Sequence, residues 1–583
     1  MRTEAWSVVR FAFVLAGTVL LVGCGRGTGA RRAPGGTIQL TQDGTYRRIY
    51  AGPVPDSVLA EKEPLNVLTG AVELDYLVLG SKSAVLSRAA ETLAVEVAPG
   101  DRNIDDRPDP TTWPETALFL DQPDTHRAGT LEFVDLSPKG GWKPVAVPGG
   151  VGVVADGFWY GAKGDEILFA SNFDAPHETG DLHWSNGTRS SEVVPGVSPR
   201  AVLFSADRSV ALVGAVDGTA CDSQGSCTHD ASVPSPIGPL VAVDMKTGLA
   251  TKIASEVRLF NPCTSLDFAL SANGKVAAYV TQDGKVMLVP TSGGAPTLVA
   301  PASSAPAVSF DGTEAAYFSG NDSHVWSNGT STLRMPGTGC GQAVFSPDGR
   351  WLAVFEGISL NGGVVYDTAT EVAASGSSDP IPVGSDVEGL WFYPSDPTQE
   401  TAELVAVVDA TSMNGRPLYN GAGNLLIGPP GVEPALMATR LRSWDVQVLD
   451  DGQVAYIGSD GPGITGGTAF VTQPGAAPPL ELGTYASPGS LAVWHTIPEI
   501  DAMIWMVPVG APDAAKASLI DRQYPDGVLW GSTSKGPAKV MPHAQSNVID
   551  AVIARDGGVL VLVATDKDHP AADAGIWELP APK

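Results

Sequence analysis

Three eleven-residue stretches, LSANGKVAAYV from Leu270, VSFDGTEAAYF from Val308 and FSPDGRWLAVF from Phe345, start 38 and 37 residues apart and share one pattern. Each has a hydrophobic residue, a turn ending in Gly, and then a strand with small Ala at alternate places. Looser copies begin at Phe204 (FSADRSVALVG), Val448 (VLDDGQVAYIG) and Ile553 (IARDGGVLVLV), and KGDEILFAS from Lys163 extends the set. Asp-Gly and Asn-Gly supply the positive φ values that tight hairpins need. The pattern therefore assigns a turn-shaping, non-catalytic role to Asn273, Gly274, Asp311, Gly312, Asp348, Gly349, Asp451, Gly452, Asp556 and Gly557.

A second strand pair follows each copy, as in KVMLVPTSGGAPTLV after Gly284, and in HVWSNGTSTLR and LHWSNGTRSSEVV, which share Trp-Ser-Asn-Gly-Thr. Units of roughly 40 to 50 residues with four short strands cannot bury both faces alone and must stack, which is the signature of a β-propeller. The expectation is an all-β chain of about seven to nine four-stranded blades. Copies fall at 148–198, 199–257, 258–300, 301–338, 339–375, 376–441, 442–485, 486–543 and 544–583. Ala315, Ala353 and Ala455 fall where one sheet presses on the next, and Phe345 and Trp351 fill the wider gaps. PVGAPDAAKASLIDRQ, in the copy from Ala486, reads as the one helix.

The last copy ends after its third strand, at GIWELPAPK. A strand from 38–147 is expected to complete it, with TIQLTQDGTYRRIY and LEFVDLSPKGGWKPVAV as the candidate donors. Residues 38–147 otherwise read as an extra blade or a cap, and 148–583 as the propeller proper.

Composition agrees with many strands and turns: 43% hydrophobic residues, 67 glycines, 47 prolines and 17% charged residues. A net charge of −28 repels phosphate backbones and anionic headgroups, so nucleic acid is not an expected partner.

Residues 1–23 carry Arg2 and Arg10 and then an apolar run from Phe11 to Val22, too short for a membrane span and suited to a secretory signal. The ending Leu21-Val22-Gly23-Cys24 resembles the bacterial lipoprotein cleavage box. That resemblance implies acylation of Cys24, a membrane attachment through the lipid, and a flexible tether over 24–37. Gly25, where an aspartate would retain the protein at the inner membrane, implies the outer membrane, facing the periplasm or the cell surface.

The three best copies also resemble the WD-like repeat of TolB-type propellers, over residues 258–375. The resemblance implies a protein-interaction platform or a substrate-gating propeller.

Cys221, Cys227, Cys263 and Cys340 remain beside Cys24, an even count that suggests two disulfides in an exported chain. Three pairings are open, Cys221 with Cys227 closing the small loop CDSQGSC and Cys263 with Cys340 as one of them. A rival reading makes Cys221, Cys227 and His229, with Asp222 or Asp230, a zinc site, although the spacing fits no common finger. Asp566, Asp568 and Asp573 lack the turn glycine and terminal glutamate of a calcium loop. No metal or cofactor is expected.

His183 and His324 precede the two Trp-Ser-Asn-Gly-Thr turns and read as repeat structure; His495, after Trp494 in VWHTIPE, reads as structural, with a place on a binding surface as the alternative. Nucleophile elbow, phosphate loop and His-Glu-x-x-His motifs are absent from the sequence. The leading expectation is a lipid-anchored extracytoplasmic scaffold that binds an envelope protein or polymer, through inserted loops around Cys221, Pro394 and Met413. The alternative is a hydrolase or lyase acting on an oligosaccharide or peptide, with its residues drawn from several blades.

Overall fold

The computed structural model describes residues 31–32, 38–41, 45–52, 57–62, 71–78, 83–97, 115–162, 164–175, 177–216, 237–261, 265–301, 304–320, 322–335, 342–355, 363–367, 381–384, 387, 389–394, 399–411, 422–441, 445–448, 453–459, 467–472, 478–486, 492–497, 500–507, 527–532, 539–540, 547–553, 559–564 and 575–579. Among them every extended element is a β-strand, every pairing is antiparallel, and no helix occurs. The segment expected to be helical lies outside the described residues.

Apart from Arg31–Arg32, which adds a fifth strand to the last unit, and the short pair Phe260–Asn261 with Ser265–Leu266, the strands group into four-stranded units in chain order. Two units lie within 46–153 and two within 158–258, each pair fused into one seven-stranded sheet. Single units follow at 268–300, 304–335, 342–384, 389–441, 446–486 and 492–540, and the last spans 547–579. Fusion has a simple origin. Ala84–Val97 and Ser190–Phe204 each serve as the fourth strand of one unit and the first of the next, and their register shifts between Ala90 and Val95 and between Val197 and Val202.

The described strands thus make eleven units, where seven to nine blades were expected. The difference lies in 46–153, whose two units join their first and second strands without an Asx-Gly turn and so leave no repeat for the eye to follow. The last unit takes its fourth strand from the start of the chain: Ile38 pairs with Glu578, Gln39 with Trp577 and Thr41 with Ile576. Within the stretch TIQLTQDGTYRRIY only Ile38–Thr41 does this, because Tyr46–Ala51 opens the first unit. The other candidate donor belongs to the second unit, where Gly129–Asp135 is the third strand.

The second strand of each unit explains the stacking. Ser57–Lys62, Thr116–Asp121, Val210–Ala215, Val276–Val280 and Glu314–Ser319 are near-continuous buried runs, as strands covered on both faces must be. Their two-residue period sorts alternate side chains into two different cores. Ala315 and Tyr317 pack with Ala278, Val280 and Leu288 of the preceding unit, whereas Ala316 and Phe318 pack with Leu352 and Val354 of the following one. Val405 and Val407 likewise face Val454 and Tyr456, while Ala406 and Val408 face Trp351 and Ala353. The series returns on itself, since Leu560, Leu562 and Ile576 of the last unit share a core with Tyr46, Ile49 and Val58 of the first. Each such side chain removed from water contributes roughly 1.5–3 kcal/mol. The small residues Ala315, Ala353 and Ala455 are fully buried at these contacts. The all-β, serially stacked arrangement is consistent with a β-propeller.

Candidate functional site

Antiparallel order gives every unit two unlike ends. First and second strands join at one, here the turn end; second and third strands join at the other, the crossover end, where the chain also passes to the next unit.

The turn end is built by one device used four times. In the unit at 304–335, Ser309 Oγ donates to Asp311 Oδ1 at 2.9 Å, Thr313 N donates to the same oxygen at 3.0 Å, and Glu314 N donates to Ser309 Oγ at 3.0 Å. The same three bonds join Ser205, Asp207, Ser209 and Val210, join Ser271, Asn273, Lys275 and Val276, and join Ser346, Asp348, Arg350 and Trp351. Gly274, Gly312 and Gly349 stand at φ between +71° and +80°. Asp451, Gly452, Asp556 and Gly557 lie outside the described residues. Burial raises the carboxyls of Asp207, Asp311 and Asp348, but hydroxyl and amide donors outweigh it and hold all three below the ordinary range.

Sequence reasoning missed the serines. Ser205, Ser271, Ser309 and Ser346 are buried at the centre of these turns, and the signal was Ser two residues before Asp or Asn in four successive units. The turns also bond to one another, Ala206 N to Ala272 O at 2.8 Å and Asn273 N to Phe310 O at 3.2 Å. Asp348 reaches further, its Oδ2 accepting from Thr401 N at 2.7 Å, and Arg350 pairs with Glu400. The insertion that begins after Pro394 is thereby tied down at the turn end, apart from the other irregular loops.

The crossover end is uneven. In two units the second and third strands are separated by residues 217–236 and 412–421, which hold Cys221, Cys227 and Met413 and lie outside the described residues. All four cysteines, with Cys24 and His229, lie outside the described residues, as do Asp222, Asp230, Asp566, Asp568 and Asp573.

Described side chains at this end are dominated by charge. Glu61, 2% exposed, accepts from Tyr50 Oη at 2.7 Å. Glu91, wholly buried where Ala84–Val97 changes units, accepts from Arg127 Nε at 2.6 Å, and Ser87 bonds Asp121 nearby. Arg127 stands at φ +65° in a loop that Asp124 Oδ1 organises by accepting from His126 N and Ala128 N at 2.7 and 3.0 Å. Burial pushes the Glu91 carboxyl up, Arg127 opposes, and the charge of Glu61 adds to the rise. Burial and then Glu61 push the Tyr50 phenol well up.

On the other face of the first unit, Tyr46 Oη donates to Asp75 Oδ2 at 2.7 Å, and Lys62 Nζ lies 2.9 Å from that oxygen and 2.6 Å from Glu73 Oε1. Burial works against the Lys62 charge, but its two carboxylate partners prevail and push it up to about 12. Further along stand Arg258 with Asp267 at 2.7 Å and His177 with Asp174 at 2.5 Å. Among the described residues no group of three or more His, Cys, Asp or Glu is placed to hold a metal ion.

His183 and His324 occupy matching strands, stacked on Phe169 at 5.3 Å and Tyr317 at 5.2 Å, and burial lowers both imidazoles. They are packing residues. His495 lies on Ala492–Ile497.

No protein-family profile matches the sequence, and no curated protein matches it. Solved structures similar in fold include a eukaryotic initiation factor, 11% identical, over 71% of this chain and 94% of that one at a TM-score of 0.41. Tricorn protease is 12% identical over 92% of this chain and 57% of its own at 0.26. TolB from Acinetobacter baumannii is 14% identical over 43% of this chain and 61% of its own at 0.22. These are weak likenesses of fold.

Proposed function

We propose that the chain is a lipid-anchored, extracytoplasmic binding scaffold whose partner, an envelope protein or polymer, docks on the crossover end. One observation carries this reading: in four successive units the turn end repeats one hairpin device, whereas the number of residues between second and third strands differs from unit to unit. Sheets buried on both faces leave such joins as the surface free to vary. The leader and Cys24 supply the anchor and the envelope location.

Replacing 218–235 by a short Gly-Ser link in the anchored protein tests it. The variant is expected to keep its far-UV spectrum and to lose the envelope components that cross-link to the parent; an unchanged cross-linking profile would sink the reading. Cys24→Ala is expected to abolish labelling by a fatty-acid probe.

A hydrolase or lyase reading draws on Glu91, a carboxyl with a raised pKa beside Arg127. Glu91 is fully buried and one of its oxygens is taken up by Arg127, so the scaffold reading is preferred.

A further inference from the structure

The pentapeptide Trp-Ser-Asn-Gly-Thr occurs at 184–188 and again at 326–330, and its two copies fold differently. At 326–330 Ser327 pairs directly with Thr330, so Asn328 and Gly329 alone make the turn, at φ +50° and +85°. At 184–188 the closing pair is Ser185 with Ser190, and a four-residue loop intervenes.

The difference sets the freedom of the asparagine. Asn186 Oδ1 accepts from Thr188 N, Thr188 Oγ1 and Arg189 N at 3.3, 3.0 and 3.1 Å. Asn273, in a third Asn-Gly pair, is held by Ser271 Oγ and Lys275 N at 2.8 and 3.0 Å. Asn328 has one side-chain hydrogen bond, a long one of 3.4 Å from its Nδ2 to Ser327 Oγ; its carbonyl oxygen takes no part, and it is the one exposed member of the three, the others being half-buried. A Cβ placed on Gly329 would meet nothing within 4 Å, so no neighbour crowds the residue that carries the attacking nitrogen.

We infer that Asn328 is a site of spontaneous covalent modification, deamidation through a cyclic imide, and that Asn186 and Asn273 are shielded from it by their turns. The Gly329 backbone nitrogen gives up its proton and attacks the Asn328 side-chain carbonyl carbon; a new C–N bond forms and the side-chain amide nitrogen leaves as ammonia. Water then opens the five-membered imide. Cleavage at the side-chain carbonyl gives aspartate, and cleavage at the main-chain carbonyl gives isoaspartate; nothing is oxidised or reduced. Attack requires the side chain to swing toward the next peptide nitrogen, which the bonds at Asn186 and Asn273 oppose.

Isoaspartate adds a backbone atom to a two-residue turn. It would therefore break the register of Asp322–Ser327 with Thr330–Met335 and loosen the outer strand of that unit.

Incubation of the full chain at pH 8.5 and 37 °C, followed by peptide mapping for the one-dalton gain and for isoaspartate, reads all three positions at once. Loss of two or three hydrogen bonds before reaction makes Asn328 faster than Asn186 and Asn273 by on the order of tenfold or more in the folded protein. In 8 M urea the three rates are expected to converge, because each asparagine precedes glycine. Equal folded-state rates, or a faster Asn186 or Asn273, would overturn the inference. Thr188→Val, which removes one restraint without touching the Asn-Gly pair, is expected to speed Asn186 alone.

Discussion

Asp311 shows how a single side chain fixes a hairpin. Its Oδ1 accepts from Ser309 Oγ, Thr313 N and Thr313 Oγ1, all within 3.0 Å, and these donors favour the ionised form. A carboxylate held below its unfolded value stabilises the fold at pH above that value, and the contribution is lost as pH falls through the folded value. Asn273 does the same work without a charge. Asp311→Asn is therefore expected to change stability at pH 7 by less than about 1 kcal/mol and to flatten the acid limb, while Asp311→Ala costs about 1–2 kcal/mol. Melting curves at pH 7 and pH 3 check this; an Asn variant weaker than the Ala variant would contradict it. Arg208 occupies the glycine position of a sister turn at φ +55°, with its Nη1 donating to Tyr160 O at 2.8 Å, so glycine is replaceable where a side chain finds partners across the unit boundary.

At the scale of the strand, the alanines carry the spacing of the sheets. Ala315 is fully buried in one core with Ala278 and Val280, so Ala315→Leu is expected to cost about 1–3 kcal/mol, whereas Leu333→Ala, at a half-exposed outer strand, shifts stability by about 0.5 kcal/mol or less. Urea unfolding of the two variants measures the contrast. The second strands were legible in the sequence because burial on both faces leaves a near-continuous apolar run behind an Asx-Gly turn. The two units in 46–153 were not, since their joins use other turn chemistry and their second strand ends in the charges of Glu61 and Lys62. That cluster is assembled from residues 46 to 127, and no local spacing records that Arg127 will meet Glu91. The turn serines were visible but look like ordinary loop polarity until their burial is known.

For the molecule as a whole, the strand Ile38–Thr41 completes the last unit, and Tyr46 and Ile49 bury against that unit's core. Gln39→Pro removes a backbone donor from a strand paired on both sides and is expected to lower stability by about 1–3 kcal/mol. Limited proteolysis of this variant should cut first within 547–579; a digestion pattern like that of the parent would mean the strand is dispensable. The negative charge of the chain fits a well-solvated surface, with the Glu61 and Asp75 carboxylates of the first unit buried.

The pairing of Ile38–Thr41 with Gly575–Leu579 also orders events in time. During synthesis Ile38–Thr41 has only the two-residue strand Arg31–Arg32 beside it until Gly575–Leu579 is made, so the last unit cannot be completed on a partial chain and the intermediate carries an open sheet edge until then. A circularly permuted gene, with residues 38–41 moved behind residue 579, would make the two strands neighbours in sequence and should shorten that exposed interval without altering the finished molecule.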